Sequence, residues 1–126
     1  AKRVNFFNDL SKLERTEALV DTFSGSSSKY SFARVDDNAS ISEVVDNSII
    51  SDFACSGLYG FGSFKIMKQL AIRALAENYQ ANFTYLLNSY ISAGYKVKNS
   101  HAVVTGDTVV LGTPEEYLIN IHRFTR

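Results

Sequence analysis

Residues 30–45 read YSFARVDDNASISEVV and contain the clearest local pattern in the chain. Residues 30–35 and 41–45 each alternate apolar and polar side chains, as strands with one buried face do. Asp36, Asp37 and Asn38 lie between the two runs, and these residue types favour turns. The stretch therefore predicts a β-hairpin whose polar tip faces solvent.

The segments on either side predict a helix and two more strands. Apolar residues repeat every third position from Val4, which predicts an amphipathic helix through about Glu17. Residues 18–23 then predict a buried strand and residues 24–28 a loop, and residues 54–61 predict another strand. Gly57 and Gly60 lie in that last strand and Gly62 follows it. Glycine weakens a strand, so these positions indicate close approach by a ligand or another backbone.

The rest of the chain predicts three helices and two short strands. Ser63 is suited to cap a helix reaching about Asn78, and a second helix runs from about Phe83 to Ala93, ended by Gly94. Residues 96–104 and 108–111 are strand-like. Residues 113–116 read TPEE, a capping box with proline at the first helical position, and predict a final helix. The order predicts a mixed α/β or α+β domain over residues 1–126.

Composition limits the classes of function. Lys plus Arg and Asp plus Glu both number 13, and without a basic run the electrostatic signature of a nucleic-acid binder is missing. A neutral chain resists self-association poorly, which favours a partner or a homo-oligomer. No apolar run approaches the ~18 residues that a membrane span needs. The single cysteine, Cys55, indicates a reducing compartment, and we expect a cytoplasmic protein.

Common catalytic and metal-binding patterns are missing. His101 and His122 have no Cys or His neighbour at ligand spacing, so we predict no metal site from them. Cys55 has no nearby cation in the sequence to lower its pKa, which favours an inert buried thiol. The sequence has no Gly-x-Ser-x-Gly elbow, and residues 57–62 do not match the dinucleotide-binding glycine pattern.

Three carboxylates flank the loop that leads into the glycine-containing strand: Glu43, Asp46 and Asp52. Carboxylates beside a glycine-lined hollow suit sugar hydroxyls, because they accept hydrogen bonds in fixed directions. Composition alone favours the other interpretation, in which these residues are solvated loop charges.

Several segments, taken in order, indicate a family. They are residues 30–36 (YSFARVD), 41–46 (ISEVVD), 50–61 (ISDFACSGLYGF), 87–97 (LNSYISAGYKV) and 111–117 (LGTPEEY). This series resembles the second half of the nucleoside-diphosphate-sugar pyrophosphorylases, or sugar-1-phosphate nucleotidyltransferases, including those of capsule and cell-surface polysaccharide pathways. The resemblance covers nearly the whole chain. It implies the C-terminal part of a Rossmann-like α/β fold, with a mixed sheet, a β-hairpin and flanking helices.

The resemblance also implies an activity and a site. Members of the family transfer a nucleotidyl group from an NTP to a sugar 1-phosphate, assisted by Mg²⁺. By resemblance, the sugar site would be lined by Tyr30, Ser31, Asp46, Asn47, Ser56, Gly57 and Tyr59. Asp46 and Asn47 would meet sugar hydroxyls, and Gly57 would let the strand backbone approach the sugar ring.

The chain departs from the family in ways that bear on catalysis. Many members have Gly where Ser31 stands and Glu-Lys where Asp46 and Asn47 stand, and Tyr85 takes the place of a metal-binding Asp. In the family, the glycine-rich nucleotide loop and a strand-end metal-binding Asp precede this region. We therefore expect no catalytic residue and no bound metal in this segment, and a missing N-terminal nucleotide-binding half as partner. The opening helix would pack against strands of that half. The alternative is a non-catalytic module that binds a sugar nucleotide or has a regulatory role.

Overall fold

The computed structural model describes residues 4–101, which form one sheet and three helices. The elements are α1 (Val4–Ser11), β1 (Ala18–Ser24), β2 (Ser31–Val35), β3 (Ile41–Asp46), β4 (Phe53–Phe61), α2 (Phe64–Glu77), α3 (Phe83–Ser92) and β5 (Val97–His101). The strand predicted beyond residue 101, the helix predicted at Thr113, and His122 lie outside the described residues. In the described part of the chain, no helix has both the length and the apolarity needed to cross a bilayer.

The five strands form a mixed sheet in the order β3-β2-β4-β1-β5. The predicted hairpin is confirmed, since β2 and β3 pair antiparallel from Ser31↔Asp46 to Val35↔Ile41. β4 pairs antiparallel with both β1 and β2, whereas β1 and β5 run parallel. The segment with α2 and α3 connects β4 to β5, which lies on the other side of β1 from β4.

Helices cover both faces of the sheet. The core on one face joins Val20, Ala33 and Val44 of the sheet to Leu70 of α2 and Leu87 of α3. On the other face, Phe6 of α1 is only 2% exposed. Phe6 and Leu10 lie beside Gly60 and Leu19, the latter being the neighbour of Val20 along β1. Because successive strand residues alternate between faces, β1 is buried on both sides.

The first helix ends six residues before the predicted limit of Glu17 and packs on the sheet of this chain. The amides of Lys12 and Leu13 donate to carbonyls three residues back, which tightens and ends the helix. The carboxylate of Glu17 then accepts from the amide of Glu14 at 2.9 Å, a bond that competes with continued helix. Phe6 packs against β1 and β4, although Phe7 remains 60% exposed.

The other two helices have the predicted bounds to within a residue. Ser63 caps α2 by accepting from the amide of Ile66. Asn82 caps α3 by accepting from the amide of Tyr85. Gly94 follows α3 with φ +87°, the left-handed conformation that ends helices and that glycine adopts without a steric penalty.

Candidate functional site

The pairing of the hairpin with β4 stops at one end of the sheet, which is called the opening, and the sequence-predicted site residues lie at that end. In the described chain, two residue pairs join β2 to β4, Phe32↔Ala54 and Ala33↔Phe53. Past Phe32 at this end lie Ser31 of β2 and Tyr30 just before it. Past Ala54 lie Cys55, Ser56 and Gly57 of β4. The register thus places both groups of predicted residues at the same end of this junction.

Asp46 is the polar centre of the opening. Its Oδ1 accepts hydrogen bonds from Ser31 Oγ and Thr84 Oγ1, both at 2.5 Å. Its Oδ2 accepts from Asn82 Nδ2 at 3.0 Å. Ser31 and Asp46 had both been predicted as site residues, and the structure brings them into direct contact. The carboxylate also joins the hairpin to the first turn of α3.

The surroundings of Asp46 favour its charged form. Partial burial raises the pKa of the carboxyl, but the hydrogen bonds from Ser31, Thr84 and Asn82 together lower it by more. The pKa therefore lies below its ordinary value. The helix N-terminus also favours a negative charge at this position. Asp46 is nevertheless exposed to solvent. It is therefore a fixed, charged acceptor that a ligand can reach.

Tyr59 contributes an aromatic wall on the same face of the sheet. Its ring stacks on Phe83, the first residue of α3, with centroids 4.9 Å apart and an interplanar angle of 20°. Burial, followed by the charges of Cys55 and Asp46, raises the pKa of Tyr59 to about 12. The phenol is therefore a neutral hydrogen-bond donor at physiological pH.

Gly57 lies at the tip of a bulge in β4. Its φ is +94°, a conformation that side chains of L-residues rarely adopt. No atom of the described residues lies within 4 Å of the place where a Cβ would be, and the residue is exposed. Among the described residues, the space beside Gly57 is therefore open.

Ser56 turns inward from the same bulge. Its Oγ donates to Oδ2 of the buried Asp21 at 2.6 Å and accepts from the amide of Leu58 at 3.3 Å. Its hydroxyl proton is therefore already committed inside the protein. Ser56 was predicted to line the sugar site, and the structure places its backbone, but not its hydroxyl proton, at the opening.

Tyr30 and Asn47 lie on the outer side of the hairpin end. The Tyr30 ring packs between Phe23 and Phe32, at centroid distances of 5.2 and 6.5 Å. The amide of Asn47 donates to the carbonyl of Tyr30, and its side chain donates to the carbonyls of Ser28 and Lys29. These two residues hold the loop before β2 and are farther from the Asp46 carboxylate than Ser31 is.

The other two carboxylates in the predicted group do not join Asp46. Glu43 pairs across the hairpin with Arg34 at 3.3 Å. Because Glu43 and Asp46 are three positions apart on one strand, they project from opposite faces. Asp52 is exposed in the loop before β4. Solvated charge therefore describes Glu43 and Asp52, whereas Asp46 remains the candidate for a polar site.

Cys55 is buried, as predicted, and has no feature of a reactive thiol. Burial, together with the charges of Asp46 and Asp21, raises its pKa to about 12. A thiol in this state is almost entirely protonated at neutral pH and is a poor nucleophile.

The described residues do not form a metal site. Within residues 4–101, no three His, Cys, Asp or Glu side chains are grouped so that they could hold a metal ion. Tyr85, which stands where the resemblance implies a metal-binding Asp, donates from its hydroxyl to Glu77 at 3.3 Å. Position 85 therefore offers a phenol already bonded to Glu77, and not the metal-binding carboxylate that the resemblance implies there.

Sequence reasoning missed four residues of this region: Asp21, Asn82, Phe83 and Thr84. Asn82 precedes an amphipathic helix, so its capping role was detectable. Its second bond, to Asp46, joins residues that are 36 positions apart and depends on the fold. Asp21 stands alone in an apolar run, and a lone carboxylate in a buried strand was the one signal for it.

The five-stranded mixed sheet with flanking helices is an α/β fold, and solved structures share it. The structure is similar to the crystal structure of the nucleoside-diphosphate-sugar pyrophosphorylase from Vibrio cholerae RC9, with a TM-score of 0.71 and 20% sequence identity. The likeness covers 90% of this chain and 49% of that chain, so the chain spans about half the length of the structure it matches. At this identity the likeness shows a shared fold over about half of that structure and no more.

The sequence comparisons add no family assignment. No protein-family model matches the chain. No curated protein sequence gives a significant match either.

Proposed function

We propose that this chain forms the sugar-binding part of a nucleotidyltransferase that makes a nucleotide-sugar from an NTP and a sugar 1-phosphate. The observation that carries the proposal is the fold likeness to half of a nucleoside-diphosphate-sugar pyrophosphorylase. By resemblance, the nucleotide-sugar would be used in surface polysaccharide synthesis, and we expect the protein to be cytoplasmic. The Rossmann-like nucleotide half would come from polypeptide outside these residues.

Asp46 supports the proposal because it is held as an acceptor for a sugar hydroxyl. A carboxylate has about four lone-pair positions, and protein donors take three of them here. Asp46 itself is exposed, which leaves the remaining position for a donor from a ligand. A sugar hydroxyl that donates to it would gain a charge-assisted hydrogen bond without reorganising the carboxylate.

The neighbouring residues supply the other contacts of a sugar site. Sugars present apolar ring faces as well as hydroxyls, and the stacked pair of Tyr59 and Phe83 offers an aromatic surface beside Asp46. The bulge at Gly57 exposes backbone without a side chain in front of it. A hydroxyl acceptor, an aromatic surface and an open backbone segment suit a polar ring of sugar size.

The binding part would position the sugar phosphate, and transfer itself would require the nucleotide half. Mg²⁺, which neutralises phosphate charge in this chemistry, would bind outside the described residues. Asp46, Tyr59 and the Gly57 bulge would orient the sugar so that its phosphate faces the nucleotide. These residues make binding and orientation contacts and are not assigned proton transfer.

The test is binding by calorimetry of sugar 1-phosphates and nucleotide-sugars, with pyrophosphate release measured on the full-length protein. Asp46→Ala should lower the affinity for the sugar ligand about tenfold or more, because it removes a charged hydrogen-bond partner. Asp52→Ala removes an exposed carboxylate near the same strand and should leave the affinity unchanged. Equal affinities for the wild type and Asp46→Ala would exclude this site.

A second control separates ligand contact from structural damage. Thr84→Val removes one donor to Asp46 and loosens the same junction with α3, but keeps the carboxylate. It should lower stability while retaining most of the affinity. Specific binding by the full-length protein without pyrophosphate release would instead favour the non-catalytic module. Lack of any sugar or nucleotide-sugar binding would refute both.

A further inference from the structure

The bulge in β4 lies directly opposite one buried carboxylate. β1 and β4 pair at Val20↔Tyr59 and at Thr22↔Cys55. Between these pairs β1 contributes Asp21 alone, whereas β4 contributes Ser56, Gly57 and Leu58. Two additional residues of β4 must therefore project from the sheet at this point. Bulges of this kind re-aim residues and are frequent beside functional sites.

Asp21 is connected to both ends of the bulge through one hydroxyl. Asp21 is 2% exposed, and burial of a carboxylate is costly unless donors surround it. Ser56, the first bulge residue, donates to Asp21 at 2.6 Å. The same oxygen accepts from the amide of Leu58, the third bulge residue, at 3.3 Å. The carboxylate, the hydroxyl and the amide thus form a chain across the base of the bulge.

Gly57, between these two residues, is held away from the sheet. Its positive φ and its exposure follow from the short connection between Ser56 and Leu58 at the base. Without that connection, the three residues could spread into a wider loop. The position of the Gly57 backbone therefore depends on where Asp21 holds the hydroxyl of Ser56.

We propose that Asp21 is a positioning residue that acts through Ser56 to fix the Gly57 bulge for sugar binding. This inference rests on the proposed function, and it changes the role of Ser56. Its hydroxyl proton points to Asp21, so Ser56 supports the backbone of the site and does not donate to the sugar. Specificity for the sugar would then depend on how far the bulge projects from the sheet and on the direction in which its backbone groups point.

The chain contains a matched control for Ser56. Ser51, just before β4, also donates from its hydroxyl, to the carbonyl of Ala33 at 2.5 Å. It likewise accepts from the amide two residues on, that of Phe53, at 3.0 Å. Ser51→Ala therefore also removes one donated and one accepted hydrogen bond, with a backbone carbonyl in place of the carboxylate, at a place without a bulge. The pair separates the effect of the bulge from that of losing a serine hydroxyl.

The first measurement is amide hydrogen exchange in the full-length protein, which needs no ligand. Ser56→Ala should speed exchange at Leu58 about tenfold, because the acceptor of that amide is lost. Asp21→Asn should act in the same direction, and Ser56→Thr, which keeps the hydroxyl, should restore protection. Ser51→Ala should leave Leu58 unchanged. Unaltered exchange at Leu58 in both Ser56→Ala and Asp21→Asn would overturn the inference.

The second measurement is steady-state kinetics on the same variants. Ser56→Ala and Asp21→Asn should raise KM for the sugar 1-phosphate about tenfold, with kcat and KM for the NTP near wild type. Ser51→Ala should keep the wild-type KM, and Ser56→Thr should recover it. A loosened bulge with an unchanged sugar KM would also overturn the inference. Failure of the proposed function is distinct, since the wild type itself would then show no sugar affinity.

Discussion

The two glycine-containing parts of β4 differ in what the missing side chain makes room for. Near the end of the strand, a Cβ on Gly60 would lie 2.4 Å from Leu10, and one on Gly62 would lie 1.7 Å from the carbonyl oxygen of Glu14. In the middle of the strand, a Cβ on Gly57 would meet no described atom within 4 Å. The first part uses glycine for close packing of the protein on itself. The second uses it for a bend that faces solvent.

This difference shows that glycine in a strand has two separate physical meanings. The sequence pattern predicts close approach by a ligand or by another backbone and gives the same signal for all three residues. Backbone conformation separates them, since Gly57 has a positive φ and an exposed surface. Among the three, Gly57 alone has no described atom near the place where a Cβ would be.

The largest expected effect of a single substitution tests the packed part. The methyl group of Gly62→Ala would overlap the carbonyl oxygen of Glu14, so the backbone must move to make room for it. We expect a loss of about 3 kcal/mol or more in the free energy of unfolding, as for overpacking against rigid atoms. Denaturant titration measures it. A loss below about 1 kcal/mol would show that residues 12–17 yield easily and that the packing there is loose.

A smaller effect on stability is expected in the bulge. Gly57→Ala meets no steric obstacle among the described residues but must hold an alanine at positive φ, which costs about 1–2 kcal/mol. The same denaturant titration measures it. Compared with Gly62→Ala, Gly57→Ala should lower stability only slightly and lower the affinity for the sugar strongly. If Gly57→Ala lowered stability as much as Gly62→Ala, the two parts of the strand would not differ as described.

The smallest expected effect concerns acid stability at the open part. The folded-state pKa of Asp46 lies below its ordinary value, so the contribution of the carboxylate to stability is complete at neutral pH. It is lost as pH falls below about 4, toward the folded pKa. The wild type should therefore exceed Asp46→Asn in stability at pH 7, and the difference should shrink toward pH 3. A difference that does not change with pH would mean that charge plays no part in this junction.

Local patterns predicted the elements that local chemistry determines. The hairpin follows from alternation and a polar turn, and the bounds of α2 and α3 follow from Ser63 and Gly94. The predicted end of α1 was wrong because the amides of Lys12 and Leu13 donate three residues back and the Glu17 carboxylate accepts from the amide of Glu14. The apolar repeat continues to Leu13 and gives no sign of these polar contacts, which end the helix at Ser11.

The candidate site was predictable only in part for a similar reason. Ser31 and Asp46 are cross-strand partners in a predicted hairpin, so their contact follows from the register. The bonds of Asp46 to Thr84 and of Asp21 to Ser56 join residues more than 30 positions apart. Those contacts require the three-dimensional fold. The sequence therefore could not predict that the Ser56 hydroxyl points inward, toward Asp21.

The hairpin turn also contacts the opposite end of the sheet. The amide of Asn99 in β5 donates to the carbonyl of Ala39 at 2.8 Å, and Ser40 pairs with Lys98, although β3 and β5 are the first and last strands of the order. A solvent-exposed turn usually tolerates insertions. Lengthening this one would remove the cover from Asn99 and leave a strand edge available for pairing with another molecule. The length of the hairpin turn therefore bears on the solubility of the protein as well as on its shape.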